Sequence, residues 1–175
     1  MDRTSIAVVL MGVSGSGKSA VGKALAAKQD WAFYDGDDYH PARNIEKMHR
    51  GEPLNDEDRA PWLDLLRGLI TRKLAAGENS IFACSALAER YRRRLLPAEP
   101  LAGRVIFVYL RITPEAARGR LLSRTEHFMP ATLVESQFSV LDEPREAIRV
   151  DADEPLGVVV ETIAEKLGYV PRNAG

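Results

Sequence analysis

The sequence of 175 residues has almost no cysteine, no excess of charge of either sign and no long hydrophobic run. Cys84 is the only cysteine, which excludes an internal disulfide and favours a reducing compartment. The formal net charge of −1 gives no overall attraction to nucleic acid or to an anionic membrane. The apolar run at residues 6–11 is about half as long as the shortest membrane-spanning helix, and no signal-peptide cleavage pattern follows it. We therefore predict a cytoplasmic protein without a nucleic-acid or membrane partner.

Short apolar runs alternate along the chain with helix-like patterns. The runs are continuous, which is typical of parallel strands covered on both faces. We predict strands at residues 6–11, 32–35, 80–84, 104–110 and 147–151. Strands joined by helices through right-handed crossovers predict a doubly wound α/β protein, with three α/β/α layers around a five-stranded parallel sheet.

Two helices have a clear apolar face. We predict the first at residues 61–77, with Pro61 in its first turn and Gly77 at its end. Its expected buried face consists of Trp62, Leu65, Leu66, Leu69 and Ile70. The last helix is expected to bury Val159, Thr162, Ile163 and Leu167.

A glycine-rich stretch, GVSGSGKS, follows the first strand and matches the pattern G-x-x-x-x-G-K-[ST]. Backbone N–H groups in such a loop, and the N-terminus of the helix after it, bind phosphate. Lys18 is predicted to reach the β- and γ-phosphates and Ser19 to bind Mg²⁺. The predicted nucleotide-binding residues are Gly12, Val13, Ser14, Gly15, Ser16, Gly17, Lys18 and Ser19. The guanine motif N-K-x-D is absent, which favours a small phosphotransferase over a GTPase switch.

Two aspartates stand at the end of the second predicted strand, in the run FYDGDDYHP. Ligands bind at this edge of an open α/β sheet. If the strand geometry continues, Asp35 and Asp37 point to opposite sides. We predict that Asp35 faces the water shell of the metal and that Asp37 binds the acceptor hydroxyl. The alternative is an Asp-Gly turn that caps the next helix.

Two polar segments interrupt the α/β pattern, and such insertions are often functional. Lys47, Arg59 and Arg92 are candidates for binding an acceptor carboxylate, although each also fits a solvated helix face. Arg120 and Arg124 are four residues apart and are predicted to reach a base and phosphates from a lid. The basic run RYRRRLL allows a nucleic-acid interpretation, which one short run on a neutral chain supports weakly.

These motifs together resemble bacterial gluconokinase of the small P-loop type. The resemblance is carried by MGVSGSGKSAVG, DGDDYHPARNIEKMHRGEPLNDEDRAPWL, CSAL with YRRRL, and HFMP with SQFSVLDEP. It covers nearly the whole chain and extends more distantly to shikimate and adenylate kinases. It implies ATP- and Mg²⁺-dependent phosphorylation of D-gluconate at the 6-hydroxyl, which gives 6-phospho-D-gluconate and ADP. A homodimer is also implied.

The resemblance also implies an organisation and a set of roles. Residues 1–175 form a single P-loop kinase domain, with a substrate-binding insertion at 36–60 and a lid at 120–136. Lys18, Asp37 and Arg124 are the expected catalytic residues. The expected substrate-binding residues are Asp37, His40, Lys47, Arg59, Ser85, Arg92 and Gln137. Ser19 and, through water, Asp35 are the expected metal-binding residues.

The sequence departs from the family pattern after CSAL and after YR, where Ala88 and Arg93 replace an expected Lys and Asp. This leaves fine substrate preference open. The alternatives are a kinase of another small hydroxy acid such as shikimate, a nucleoside monophosphate kinase, a non-catalytic nucleotide sensor and an RNA-binding module.

Overall fold

A five-stranded parallel sheet forms the centre of the protein, in a computed structural model that describes residues 4–123 and 132–168. The strands are β1 (Ile6–Met11), β2 (Ala32–Asp35), β3 (Ser80–Ala83), β4 (Arg104–Arg111) and β5 (Ile148–Asp151). Their order across the sheet is β2-β3-β1-β4-β5, and every neighbouring pair is parallel. The predicted five-stranded parallel sheet is confirmed, and each strand ends within one residue of its predicted limits.

The described residues contain seven helices: α1 (Lys18–Gln29), α2 (Ala42–His49), α3 (Asp56–Ala75), α4 (Glu89–Leu95), α5 (Pro114–Leu122), α6 (Thr132–Val140) and α7 (Leu156–Leu167). A short 3₁₀ turn spans Gly36–Tyr39. Among the described residues, no helix combines the length and apolar character needed to cross a membrane.

Strand β1 is buried on both faces and divides two hydrophobic cores. Val8 and Leu10 pack into one core with α1, α5 and α7. Val9 and Met11 pack into the other with α3 and α4. Because both faces of the sheet are covered, the continuous apolar runs have the burial that parallel strands require, and the predicted three-layer arrangement is confirmed.

Helix α3 begins earlier than predicted, and the first-turn position of Pro61 is wrong. The helix begins at Asp56 and Pro61 lies inside it. Asn55 and Asp58 form a reciprocal capping box, in which each side chain accepts a hydrogen bond from the other's backbone N–H. Leu65 is 48% exposed, so the predicted apolar face is narrower. Gly77 has a positive φ of 72°, which suits its predicted role as the C-terminal stop, and the helix itself ends at Ala75.

The predicted substrate-binding insertion and the predicted lid differ in what the structure describes. The segment 36–60 contains the 3₁₀ turn, α2 and the first turn of α3, so it is largely helical. The segment 120–136 includes the end of α5 and the start of α6, and Arg124 lies outside the described residues. The roles of these segments as substrate-binding insertion and lid stay predictions.

Candidate active site

The glycine-rich loop turns tightly between β1 and α1. Gly15 has a φ of 87°, and a Cβ atom there would lie 2.7 Å from the carbonyl oxygen of Ala117. Gly17 has a φ of 91° and is the N-cap of α1. Other residues are strained in this conformation and would collide with α5 at Gly15, so both glycines are required. The loop therefore places backbone N–H groups at a helix N-terminus, where anions bind.

Lys18 and Ser19 point to different partners at the start of α1. The Nζ atom of Lys18 donates to the carbonyl oxygens of Gly12 at 3.0 Å and Val13 at 3.1 Å, so the side chain curves back over the loop. The Oγ atom of Ser19 donates to Oδ2 of Asp35 at 2.5 Å. This bond joins the loop to the end of β2, and both oxygens are hard ligands of the kind Mg²⁺ prefers.

The two aspartates lie on a turn rather than on an extended strand. The strand ends at Asp35, whose Oδ1 atom accepts the N–H of Asp37 at 3.1 Å and caps the 3₁₀ turn. The expectation of opposite faces along a continuing strand is therefore wrong, and the turn-capping alternative describes Asp35. The indole Nε1 atom of Trp62 donates to the carbonyl oxygen of Gly36 at 2.7 Å and supports the turn from α3. The side chain of Asp37 is 83% exposed.

One cavity of about 400 Å³ brings most of the predicted residues together. It lies outside the carboxyl ends of the strands, between the loop and the 36–60 segment. The predicted residues that line it are Ser14, Gly15, Gly17, Lys18, Ser19, Asp35, Asp37, His40, Arg59, Ser85 and Gln137. Its wall also contains Trp62, whose predicted place is only in the hydrophobic face of α3.

Lys47 and Arg92 do not line the cavity, contrary to their predicted place among its substrate-binding residues. Lys47 pairs with Asp58, with 2.7 Å between Nζ and Oδ2. Arg92 is buried and its Nη1 atom donates to the carbonyl oxygens of Ala86 at 3.0 Å and Leu87 at 2.9 Å. The fold uses these two cations internally, on a carboxylate and on backbone carbonyls.

Arg59 does line the cavity, and Tyr91 holds it there. Its Nη1 atom donates to the Tyr91 hydroxyl at 3.1 Å and to the carbonyl oxygen of Leu54, and its guanidinium lies 5.1 Å from the centre of the Tyr91 ring. The Tyr91 hydroxyl donates to Asp56 at 2.5 Å. Hydrogen bonds from Arg90 and Tyr91 lower the pKa of Asp56 to about 2, so this carboxylate stays ionised.

His40 lies against Trp62 in the wall of the cavity. Their ring centres are 4.0 Å apart and nearly parallel, and the His40 side chain is only 4% exposed. Burial and, secondarily, the charge of Arg59 lower its pKa to about 4, because both disfavour the charged ring. The ring is therefore neutral at pH 7.

Arg120 and Gln137 both contact the glycine-rich loop. The guanidinium of Arg120 donates to the carbonyl oxygens of Gly15 at 3.4 Å and Ala152 at 2.5 Å. The side-chain amide of Gln137 makes two hydrogen bonds to Ser14. Its Oε1 atom accepts from the Ser14 N–H at 2.7 Å, and its Nε2 atom donates to the Ser14 hydroxyl at 3.0 Å. Gln137, predicted to bind the acceptor, thus contacts the loop predicted to bind the nucleotide.

The basic run on α4 is neutralised within the fold. Arg90, Arg93 and Arg94 pair with Asp56, Glu89 and Asp64 respectively. Tyr91 and Leu95 are buried, as expected of an apolar stripe. The run therefore has carboxylate partners within the fold, and the nucleic-acid alternative stays a prediction that the structure does not test.

Cys84 is fully buried at the end of β3. Burial raises the pKa of its thiol to about 12, so it stays protonated. A protonated buried thiol is not a nucleophile, which agrees with a packing role.

Comparisons with known proteins find similar sequences that cover most of the chain. A family model described as an AAA domain matches residues 8–148. The chain is 44% identical to a probable gluconokinase of Xenopus tropicalis over 171 residues, covering 89% of this chain and 90% of that protein. It is also 44% identical to the thermoresistant gluconokinase of Escherichia coli K12 over 160 residues, with the same coverage of 89% and 90%.

Solved structures agree with these relatives. A crystal structure of a gluconokinase from Sinorhizobium meliloti 1021 superposes with a TM-score of 0.79 at 39% identity, covering 95% of this chain and 97% of that one. Identity at this level, over most of both sequences and with the loop, sheet order and cavity described above, is decisive for the family. The chain belongs to the gluconokinase family of P-loop kinases.

Proposed function

We propose that this protein transfers the γ-phosphoryl group of ATP to the 6-hydroxyl of D-gluconate, giving 6-phospho-D-gluconate and ADP. The observation that carries the proposal is the Ser19–Asp35 hydrogen bond, which joins the phosphate-type loop to the end of β2. Because of this junction, Asp37 lines the same cavity as Lys18. The predicted nucleotide-binding loop and a carboxylate suited to an acceptor hydroxyl therefore line the same cavity.

The loop and α1 suit the triphosphate of ATP. The backbone N–H groups of residues 12–19 bind phosphate oxygens, and Lys18 exchanges its carbonyl partners for the β- and γ-phosphates. Arg120 contacts Gly15 and is placed to approach phosphates or base. Arg124 remains a predicted second cation of this site.

Mg²⁺ fits the pair formed by Ser19 and Asp35. A hydroxyl and a carboxylate are the oxygen ligands that this ion takes in phosphoryl-transfer sites, with Asp35 acting through water. Bound there, the ion neutralises charge on the transferring phosphates.

Arg59 is the proposed anchor for the gluconate carboxylate. Among the described residues, the Lys and Arg side chains that line the cavity are Lys18 and Arg59. Lys18 belongs to the phosphate loop, so Arg59 remains for the carboxylate, which guanidinium binds at two points. Ser85 and His40 line the same cavity and offer hydrogen bonds to the polyol chain.

Asp37 receives the proton in the transfer step. The substrate hydroxyl oxygen bonds to the γ-phosphorus while the bond between that phosphorus and the β–γ bridging oxygen breaks and ADP leaves. The hydroxyl proton passes to Asp37 and then to solvent. Because the transition state is loose, an ordinary carboxylate suffices to orient the hydroxyl and accept its proton late.

The same proposal covers the organisation of the chain. Residues 1–175 act as one domain, with 36–60 enclosing the acceptor and 120–136 closing as a lid that excludes water. We also propose that the enzyme acts in the cytoplasm and forms a homodimer.

A coupled ADP-release assay with a panel of acceptors tests the substrate. We expect D-gluconate to exceed shikimate, other sugar acids and nucleoside monophosphates by at least about 100-fold in kcat/KM, since a carboxylate anchor and a polyol chain are recognised together. Gluconate no better than solvent would refute the assignment. A preference for a nucleoside monophosphate would support that alternative.

A further inference from the structure

The plane of the His40 ring is fixed by its neighbours. The ring stacks on the indole of Trp62 at 4.0 Å with an angle of 18°. Trp62 is itself held by its hydrogen bond to the carbonyl oxygen of Gly36. The ring edge, with its two nitrogens, is therefore presented in a defined direction.

Asn44, fully buried on α2, decides which ring nitrogen carries the proton. Its Nδ2 atom lies 2.9 Å from the carbonyl oxygen of Asp58. A carbonyl only accepts, so the atom facing it is the amide nitrogen. The same Nδ2 atom lies 3.4 Å from Nδ1 of His40. Its second hydrogen is thus donated to Nδ1, which must present a lone pair.

The remaining nitrogen, Nε2, therefore bears the proton of the neutral ring. It lies 3.9 Å from Oδ1 of Asp37, too far for a direct hydrogen bond. This separation is compatible with one oxygen atom at about 2.8 Å from each of the two atoms. Both side chains line the cavity.

We infer that Asn44 is a positioning residue that fixes His40 as an N–H donor to the reacting hydroxyl, with Asp37 as the sole proton acceptor. This deepens the proposed function and rests on it. The hydroxyl oxygen accepts from Nε2–H with one lone pair and donates its proton to Asp37. Its second lone pair stays free to attack phosphorus.

The tautomer is tested first without any activity measurement. Long-range ¹H–¹⁵N correlation spectra of the ¹⁵N-labelled enzyme at pH 7 distinguish a protonated from an unprotonated ring nitrogen, and His40→Gln assigns the signal. We expect Nε2 protonated and Nδ1 unprotonated. In Asn44→Asp, whose carboxylate only accepts, we expect a proton on Nδ1. A wild-type ring with its proton on Nδ1 would overturn the inference.

The donor role is tested with two replacements of His40. Glutamine carries an N–H donor near the position of Nε2 but cannot act as a base, and leucine has neither property. We expect His40→Gln to retain kcat/KM within about tenfold and His40→Leu to lose about 100-fold, a cost typical of a misplaced reactant. Equal losses in both would show that the ring acts as a base and would overturn the inference.

Failure of the proposed function is distinguishable from failure of this inference. If the wild-type enzyme phosphorylates no gluconate, the function falls while the spectrum still reports the tautomer. If gluconate is phosphorylated and the wild-type proton is on Nδ1, only the inference falls.

Discussion

At the scale of single residues, Asp37 has the most specific of the proposed chemical roles. Replacing it with Asn keeps the shape and removes the proton acceptor. We expect kcat to fall by about 10- to 1000-fold, the usual range for lost acid–base assistance, while ATP binding is unchanged. Steady-state kinetics and nucleotide titration measure both quantities.

The neighbouring Asp38 provides a matched control for this replacement. Its side chain is exposed and does not line the cavity. Asp38→Asn should leave kcat within about twofold, as an exposed substitution usually does. Unchanged turnover in Asp37→Asn would remove Asp37 from the mechanism.

Tyr91 positions Arg59, the proposed anchor for the gluconate carboxylate. Its hydroxyl accepts hydrogen bonds from Arg59 and Arg90 and donates one to Asp56. Tyr91→Phe removes all three bonds, the one to Arg59 among them, and a typical net hydrogen bond contributes about 1 kcal/mol. We expect KM for gluconate to rise by about 3- to 10-fold with little change in KM for ATP, as measured by initial rates.

A second substitution on α4 tests whether an effect on gluconate binding comes from the contact between Tyr91 and Arg59 or from any change in the charge of the helix. Arg94 pairs with Asp64 on the surface and does not line the cavity. Arg94→Gln should leave both KM values unchanged. An equal rise in KM for gluconate in both variants would contradict a specific anchor.

Residues in a local motif were predictable from the sequence, whereas the partners of single cationic side chains were not. The loop pattern located Lys18 and Ser19 because their spacing is local and complete. The partners of Lys47 and Arg92 are a carboxylate 11 residues away and two carbonyls in a turn. The partner of a cationic side chain depends on the tertiary structure. The sequence therefore could not distinguish which of Lys47, Arg59 and Arg92 is available to bind a carboxylate.

At the scale of elements, α4 stabilises the turn between β3 and α4. Ala86 in this turn has a positive φ of 44°, which is unfavourable for a residue with a Cβ atom. The Arg92 guanidinium binds the carbonyl oxygens of residues 86 and 87 and is only 7% exposed. Its buried hydrogen bonds therefore hold a strained turn that lines the cavity at Ser85 and Leu87.

Arg92→Met should consequently affect stability more than substrate binding. Removing a charged donor from two buried carbonyls costs about 2–3 kcal/mol in free energy of unfolding. We expect this loss in urea titrations, with KM for gluconate within about twofold of wild type.

Arg93, exposed and paired with Glu89, gives the matched control on the same helix. Arg93→Met should change the free energy of unfolding by less than about 0.5 kcal/mol. A raised KM for gluconate in Arg92→Met at unchanged stability would instead restore Arg92 as a carboxylate ligand.

The elements were predictable to the extent that their signals were local. The five strands were found because each is a short apolar run beside a turn. The start of α3 was missed because Pro61 resembles a first-turn proline, whereas the Asn55–Asp58 capping box sets the actual start. The contacts of α6 with the loop were not predictable, since Gln137 and Ser14 are 123 residues apart.

At the scale of the whole molecule, His40 couples stability to pH. Its pKa is about 4 in the folded protein and 6.5 as an ordinary histidine, so the unfolded chain binds a proton that the folded protein does not between these values. Stability therefore rises with pH across this window and is lost as pH falls from about 6.5 to about 4. The charged groups close to the ring are Asp37 and Arg59.

His40→Gln isolates this contribution, because glutamine does not titrate and every other group is the same in both proteins. Urea titrations at pH 7 and pH 5 should show a larger loss of unfolding free energy in the wild type than in the variant. The excess approaches about 2 kcal/mol at pH 5, since each unit between the two pKa values contributes about 1.4 kcal/mol. Equal losses in the two proteins would mean that the folded ring takes up a proton as readily as the unfolded one, which its burial against Trp62 argues against.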